Sequence, residues 1–255
     1  MLGSLTYFRF FVLFIVITPF INQASCQILV NLKKEFEKAK DYKEAVLVYQ
    51  QSLGHHAAFF SGTAYSFNKT NINGHPFFHS DNWQTGDIYI YGRIFFDMEI
   101  KLDIYKDVLL LNHHGTEYNN QAIVINDSSL KGAFFLDRYF INIQTEEAGS
   151  IQIKNGYYEL VYYDKCTVLV KYRKTIGREY KYSTDLYEEF VSGINYYLLC
   201  NGKASIINSK KALVKALSKH NEEVKRYIKD TRIKYSKQKL ENIIKIVRFY
   251  DSLDS

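Results

Sequence analysis

Ile94-Phe95-Phe96-Asp97-Met98-Glu99-Ile100-Lys101-Leu102-Asp103-Ile104 is the stretch on which the fold turns. Ile94, Phe96, Met98, Ile100, Leu102 and Ile104 are apolar, and Phe95, Asp97, Glu99, Lys101 and Asp103 stand between them. Side chains of a strand point alternately to its two faces, so this reads as a strand with one face in a core and a largely charged face in water. Tyr105-Lys106-Asp107 makes a turn, and Val108 to Leu111 starts the returning strand.

Outward from this pair, further strands are expected at 121–126, 133–143, 157–163, 168–172, 195–200 and 204–207. The segment from His55 to Trp83 is loop-rich, with one short strand near 63–67. Asn155-Gly156 and Asn201-Gly202 carry the residue pair best suited to positive φ in tight turns, and the second joins Tyr196-Tyr197-Leu198-Leu199-Cys200 to Lys203-Ala204-Ser205-Ile206-Ile207 as a hairpin. Short strands at hairpin spacing, without alternating helices, describe an antiparallel sheet.

Both ends are helical. From Leu32 to Leu53, Phe36, Ala39, Tyr42 (or Lys43), Val46 and Tyr49 fall near one face, with Lys and Glu elsewhere. The segment 38–54 (KAKDYKEAVLVYQQSLG) looks like half of a tetratricopeptide repeat, but no second copy follows, so one helix docking on the sheet is the better reading. At the other end, Asn208 or Ser209 caps a helix running to Lys219, Glu222 to Asp230 forms a second, and Ser236 caps a third. In that third helix Leu240, Ile243, Ile244, Val247 and Tyr250 make an apolar stripe.

The expected fold is therefore α+β: an antiparallel, twisted or partly closed β-sheet with an N-terminal helix and a C-terminal helical subdomain. The organisation is a signal peptide over 1–26, the helix over 27–54, the β domain over 55–207, and a basic helical tail over 208–255 packed on the sheet. The first segment carries the export signal: a weakly basic start, the apolar run Phe10 to Phe20, then Gln23-Ala24-Ser25-Cys26. That run is about half the roughly 20 residues of a spanning helix, and no second long apolar stretch follows. The mature chain is expected to be periplasmic, cell-surface or extracellular, without a transmembrane helix. Two prolines, 24% charged residues and 16% aromatics argue for a folded core.

The net charge of +6 is unevenly spread. From Lys203 to Arg248 fourteen Lys and Arg face four carboxylates, a balance of +10, which leaves −4 on the rest. Such a basic tail suits an acidic polymer or protein, and export argues against nucleic acid. Cys26 lies at the signal exit, as a site of cleavage or of lipidation. Cys166 and Cys200 either form a disulfide, which an oxidising compartment permits, or sit as small buried apolar residues.

Reactive constellations are sparse. His55-His56, His75, His79 and His113-His114 are the most enzyme-like residues, since histidine titrates near neutrality and ligates metals. Pro76 and Gly74 place His75 and His79 in a loop, however, and no HExxH glutamate accompanies them. An envelope hydrolase would need them to converge with Asp81 or Glu117. Asp97, Glu99 and Asp103 share one strand face at a spacing open to paired-carboxylate chemistry, but Lys101 stands in the same row, and a solvated face has the same look. Asn68 and Asn126 open glycosylation sequons. No catalytic, cofactor-binding or metal residue is assigned.

Residues 74–78 (GHPFF), 86–111, 156–174 (GYYELVYYDKCTVLVKYRK), 210–217 and 224–253 resemble, over most of 60–253, a group of exported bacterial proteins. Those proteins couple a β-rich domain to a Lys-rich helical tail and have no assigned activity. The resemblance implies architecture only. The expected function is a non-catalytic binding or structural module of the cell envelope. The alternatives are a carrier holding an apolar ligand in a half-closed sheet, or an envelope hydrolase.

Overall fold

A computed structural model describes residues 32–53, 62–68, 71–114, 120–125, 128–144, 153–181 and 185–253. The expected signal peptide, His55, His56 and Glu117 lie outside these residues. The protein is α+β, and its centre is one large, mostly antiparallel sheet that does not close. The principal strands are β3 (Gln84–Ile90), β4 (Arg93–Asp103), β5 (Val108–His114), β6 (Asn120–Val124), β7 (Leu130–Phe135), β8 (Arg138–Ile143), β9 (Gly156–Tyr163), β10 (Thr167–Lys181), β11 (Asp185–Cys200) and β12 (Lys203–Ile206). Short β1 (Thr63–Ala64) and β2 (Ile72–Asn73) complete it, and the order is β1-β6-β5-β4-β3-β7-β8-β9-β10-β11-β12. β2 lies off that path, parallel to β11.

The run 94–104 is a strand as far as Asp103, with Ile104 in the turn that follows, but its apolar row does not keep to one face. Gly86 pairs with Met98 and Ile88 with Phe95, so β4 carries one residue more than β3 between those pairs. Asp97 occupies the bulge at φ +54°, and its N–H donates to Asp87 Oδ1 at 3.1 Å. An extra residue reverses the side on which every later side chain falls. Phe95, Ile100, Leu102 and Ile104 therefore pack in one cluster, with Ile88, Leu109, Leu111, Phe135 and Phe140. Ile94 and Phe96 pack on the opposite face. Asp103, expected in water, is fully buried. It accepts hydrogen bonds from the Tyr65 hydroxyl (2.7 Å) and the N–H groups of Tyr105 and Lys106 (both 2.8 Å).

The expected single strand over 133–143 is two, joined by Leu136 and Asp137 at φ +51° and +56°. β3 was missed for the same kind of reason: its turn to β4 is Tyr91-Gly92, both at positive φ. The Asn201-Gly202 hairpin forms as expected, with Cys200 opposite Lys203. β10 and β11 run far beyond the expected 168–172 and 195–200, pairing from Thr167↔Leu199 to Lys181↔Asp185. The sheet curls so that the Lys174 N–H reaches Ile104 O at 3.0 Å. Those residues lie five strands apart in the sheet order.

Helices cover both faces of the β10–β11 base. Leu32, Phe36 and Ala39, on α1 (residues 32–39), meet Ile141, Tyr158, Leu169 and Leu199. A short 3-10 turn, Lys40–Tyr42, leads into α2 (Lys43–Leu53). The neighbours Val168 and Leu198 point the other way, into the C-terminal helices α3 (Lys210–Ala216), α4 (Asn221–Asp230) and α5 (Lys239–Leu253). Ser209 caps α3 as expected, its side chain accepting from the Ala212 N–H. α5 starts three residues after Ser236, and its buried face is Asn242, Ile243, Ile246, Val247, Tyr250 and Asp251. Leu240 and Ile244 are only half-buried. No helix among the described residues is long and apolar enough to cross a membrane.

Candidate functional site

Of the histidines singled out above, the structure describes the side chains of His75 and His79, and the two have separate surroundings. His75 stacks on Phe77 at 6.0 Å, its Nδ1 accepts the Phe77 N–H at 3.2 Å, and the Lys174 ammonium stands 3.4 Å from that nitrogen. Burial and the lysine charge hold the His75 imidazole below its ordinary pKa. Lys174 donates to the carbonyls of His75 (2.6 Å) and Phe77 (3.0 Å), so this cluster ties the 71–83 segment to β10. His79 is exposed at φ +62° beside Phe78, and Asp81 pairs with Lys101 at 2.9 Å. Among the described residues no group of three or more His, Cys, Asp or Glu is placed to hold a metal ion.

The carboxylate row is dispersed too. Asp97 pairs with Lys43 (2.7 Å), Glu99 accepts from Asn112 Nδ2 (2.6 Å), and Asp103 is the buried turn anchor described above. Glu159 is among the buried polar groups that sequence reasoning missed. Only 6% exposed, it is held by Arg138 (2.8 and 3.0 Å) and by the hydroxyl of Tyr172 (2.6 Å), whose ring packs near those of Phe78 and Phe140. Its acceptor capacity goes into bracing β8, β9 and β10 together. Cys166 and Cys200 are joined by a disulfide across the bases of β10 and β11.

What the fold does gather is positive charge. α3 begins Lys210-Lys211, with no acidic residue in its first turn, where the helix dipole disfavours cations. Lys215 and Lys219 follow, then Arg232, Lys234 and Lys237 around the entry to α5, and most of these side chains are exposed. Nearby carboxylates act locally: Glu222 pairs with Lys225 at 2.7 Å. Lys239 lies over the rings of Tyr196 (4.7 Å) and Tyr235 (5.7 Å).

A groove of about 600 Å³ opens between β12 and α3, beside the disulfide. Its polar lining is Lys203, Lys215, Ser205, Ser218 and Asn201, with no carboxylate among the described residues that line it. Two ammonium groups and two hydroxyls around one hollow are donors for an anion with several oxygens. The excess of lysine was legible in the sequence. The groove was not, because Lys203 and Lys215 meet only through the hairpin and the cap that turn α3 back over β12. No protein-family model, curated protein or solved structure matches this chain.

Proposed function

We propose that this is an exported, non-catalytic binding module whose basic C-terminal subdomain engages an acidic polymer, one anionic unit seating between Lys203 and Lys215. The observation that carries the reading is the carboxylate-free groove within a segment of balance +10. Export is supported by the layout of residues 1–26, and intact mass of the secreted chain tests it, with a start at or near Gln27 expected. The filled interior of the curl, where Ile88, Ile90, Ile100 and Leu109 are fully buried, favours this reading over carriage of an apolar ligand. The engagement of His75 with Phe77 and Lys174 weighs against a hydrolase.

Retention on an immobilised sulfated polysaccharide, eluted by a salt gradient, tests the binding. Screening makes a contact of this kind weaken with salt. The double variant Lys203→Ala/Lys215→Ala should elute at clearly lower salt, while Lys245→Ala, outside the groove, should elute close to the parent. Equal elution of all three proteins would remove the groove from the proposal. Failure of the parent to bind at low salt would remove the polymer.

A further inference from the structure

The N-terminal helical segment breaks the pattern that its sequence sets. Phe36 and Ala39 are buried, but Tyr42 and Tyr49, on the same expected face, remain 45% and 42% exposed. The 3-10 turn at Lys40–Tyr42 tightens the winding there. Beyond it α2 stays docked on the sheet through Val46, Leu47 and the Gln50 amide, which exchanges two hydrogen bonds with the Phe96 backbone (2.9 and 2.8 Å), while Tyr42 and Tyr49 remain outside that contact. A cleft of about 340 Å³ is left between α2 and the β3–β4 hairpin. That volume falls at the lower end of small-ligand sites, roughly 300–1,000 Å³.

The chemistry of the cleft is specific. Glu35, Tyr42 and Tyr49 are spaced seven residues apart, so they follow one stripe of the helical segment. Tyr89 and Arg93 line it from the hairpin. Arg93 is held in place: its guanidinium lies 5.7 Å from the Tyr49 ring centroid and donates to the Tyr49 hydroxyl at 2.9 Å. Among the described residues no salt bridge joins Glu35 or Arg93 to an opposite charge. Glu35 and Arg93 are also too far apart to pair with each other. The hollow thus offers a carboxylate near two tyrosines, and a guanidinium at a distance from it. Burial, and after it the Glu35 carboxylate across the cleft lining, raise the Tyr89 hydroxyl pKa.

We propose that this cleft binds a small zwitterion carrying a quaternary ammonium and a phosphate, the phosphocholine group, with the ammonium among Tyr42, Tyr89 and Glu35 and the phosphate on Arg93. A quaternary ammonium cannot donate hydrogen bonds and is held by aromatic faces with a nearby carboxylate. A phosphate matches the planar donor fork of arginine. A purely anionic ligand would meet Glu35, and a purely cationic one would meet Arg93. The dipolar group satisfies both.

Calorimetric titration of the purified chain with phosphocholine, choline and inorganic phosphate tests the site. Phosphocholine should bind at least about tenfold more tightly than either half. Glu35→Gln and Tyr42→Ala, at exposed or half-exposed positions, should weaken phosphocholine and choline alike. Arg93→Ala should reduce phosphocholine to the affinity of choline. Cosedimentation with phosphatidylcholine vesicles separates the sources: vesicle binding abolished by free phosphocholine marks a lipid headgroup, and binding of the free compound alone marks a soluble ligand. No heat at millimolar phosphocholine, or affinity unchanged in both Glu35→Gln and Arg93→Ala, overturns the proposal. Lys203→Ala/Lys215→Ala should leave this titration unchanged, so its outcome is independent of the polymer reading.

Discussion

Asp97 shows how one residue redirects a strand. An L-residue at positive φ is disfavoured by about 1–2 kcal/mol, and aspartate is among the few side chains that tolerate it. Here the bulge also brings the carboxylate to Lys43 and the N–H to Asp87. Asp97→Gly should therefore keep the stability of the parent within about 1 kcal/mol, since glycine is relaxed at this φ. Asp97→Val should cost about 2 kcal/mol or more in chemical denaturation, because a β-branched residue is a poor fit there. Comparable loss in both variants would assign the effect to the ion pair with Lys43 instead. Around the bulge, Ile100→Ala should cost about 2–5 kcal/mol by leaving a cavity. Glu99→Ala should cost about 1 kcal/mol through its lost bond to Asn112, more than a solvated face would give. The sign of the pH effect at His75 follows from its lowered pKa. The folded state binds its proton less readily than the unfolded state does, so stability present above the ordinary value of 6.5 is lost as pH falls through the folded pKa. Denaturation midpoints should drop on that side of 6.5, and His75→Gln should flatten the slope; an unchanged slope would place the titration elsewhere.

At the scale of elements, what could be read from the sequence depended on whether a turn or a face left a local chemical mark. The Asn201-Gly202 hairpin did, because both residues favour positive φ, and the Ser209 cap did, because a hydroxyl there accepts a helix N–H. Leu136-Asp137 adopts the same left-handed turn with a leucine, so β7 and β8 read as one strand. The outer arms of β10 and β11 were missed because Arg173, Thr175, Val191 and Ser192 are all exposed, and a ribbon that buries little imposes no alternation. In α5 the face was displaced by polar anchors. Asn242 Nδ2 donates to the carbonyls of Lys234 (3.1 Å) and Lys237 (2.6 Å). Asp251 Oδ2 accepts from the Tyr162 hydroxyl (3.0 Å) and the Cys166 N–H (3.2 Å). No apolar period announces such residues. The tyrosine cleft was only partly legible: Tyr42 and Tyr49 read as part of a buried face, and Glu35, Tyr89 and Arg93 carry no local pattern that would join them to it. Cys166 and Cys200 pin the same junction, 34 residues apart in sequence. Replacing both by alanine should lower stability by about 2–4 kcal/mol, chiefly by freeing the unfolded chain. Coincident thermal transitions with and without a reductant would deny the disulfide that role.

The whole molecule is a sheet bent until its fourth and tenth strands nearly meet, with helices placed where the bend leaves apolar residues uncovered. Polar contacts among the described residues hold the bend. The Lys174 N–H bonds Ile104 O, and the Lys171 ammonium meets Asp107 Oδ2 at 2.5 Å while lying 4.5 Å from the Tyr158 ring centroid. Asp107 Oδ1 also accepts the Tyr157 N–H at 3.2 Å, so one turn residue fastens the β4–β5 hairpin to both β9 and β10. Burial pulls the Lys171 pKa down while Asp107 pulls it up, and removing the carboxylate would strand the cation. Asp107→Ala should then cost about 2–3 kcal/mol, less than a fully buried pair because Asp107 keeps 30% of its side chain exposed. Lys171→Met, which keeps the apolar stem over Tyr158, should cost less. The double variant should be more stable than the sum of the single losses implies, since the stranded ammonium is gone. Amide exchange at Lys174 gives the whole-molecule readout. If the pair holds the bend, that amide should exchange faster in Asp107→Ala, whereas the β11–β12 hairpin should keep its protection. Additive losses with unchanged exchange at Lys174 would mean that the bend is held by the packing of Ile104, Tyr157 and Tyr172 alone.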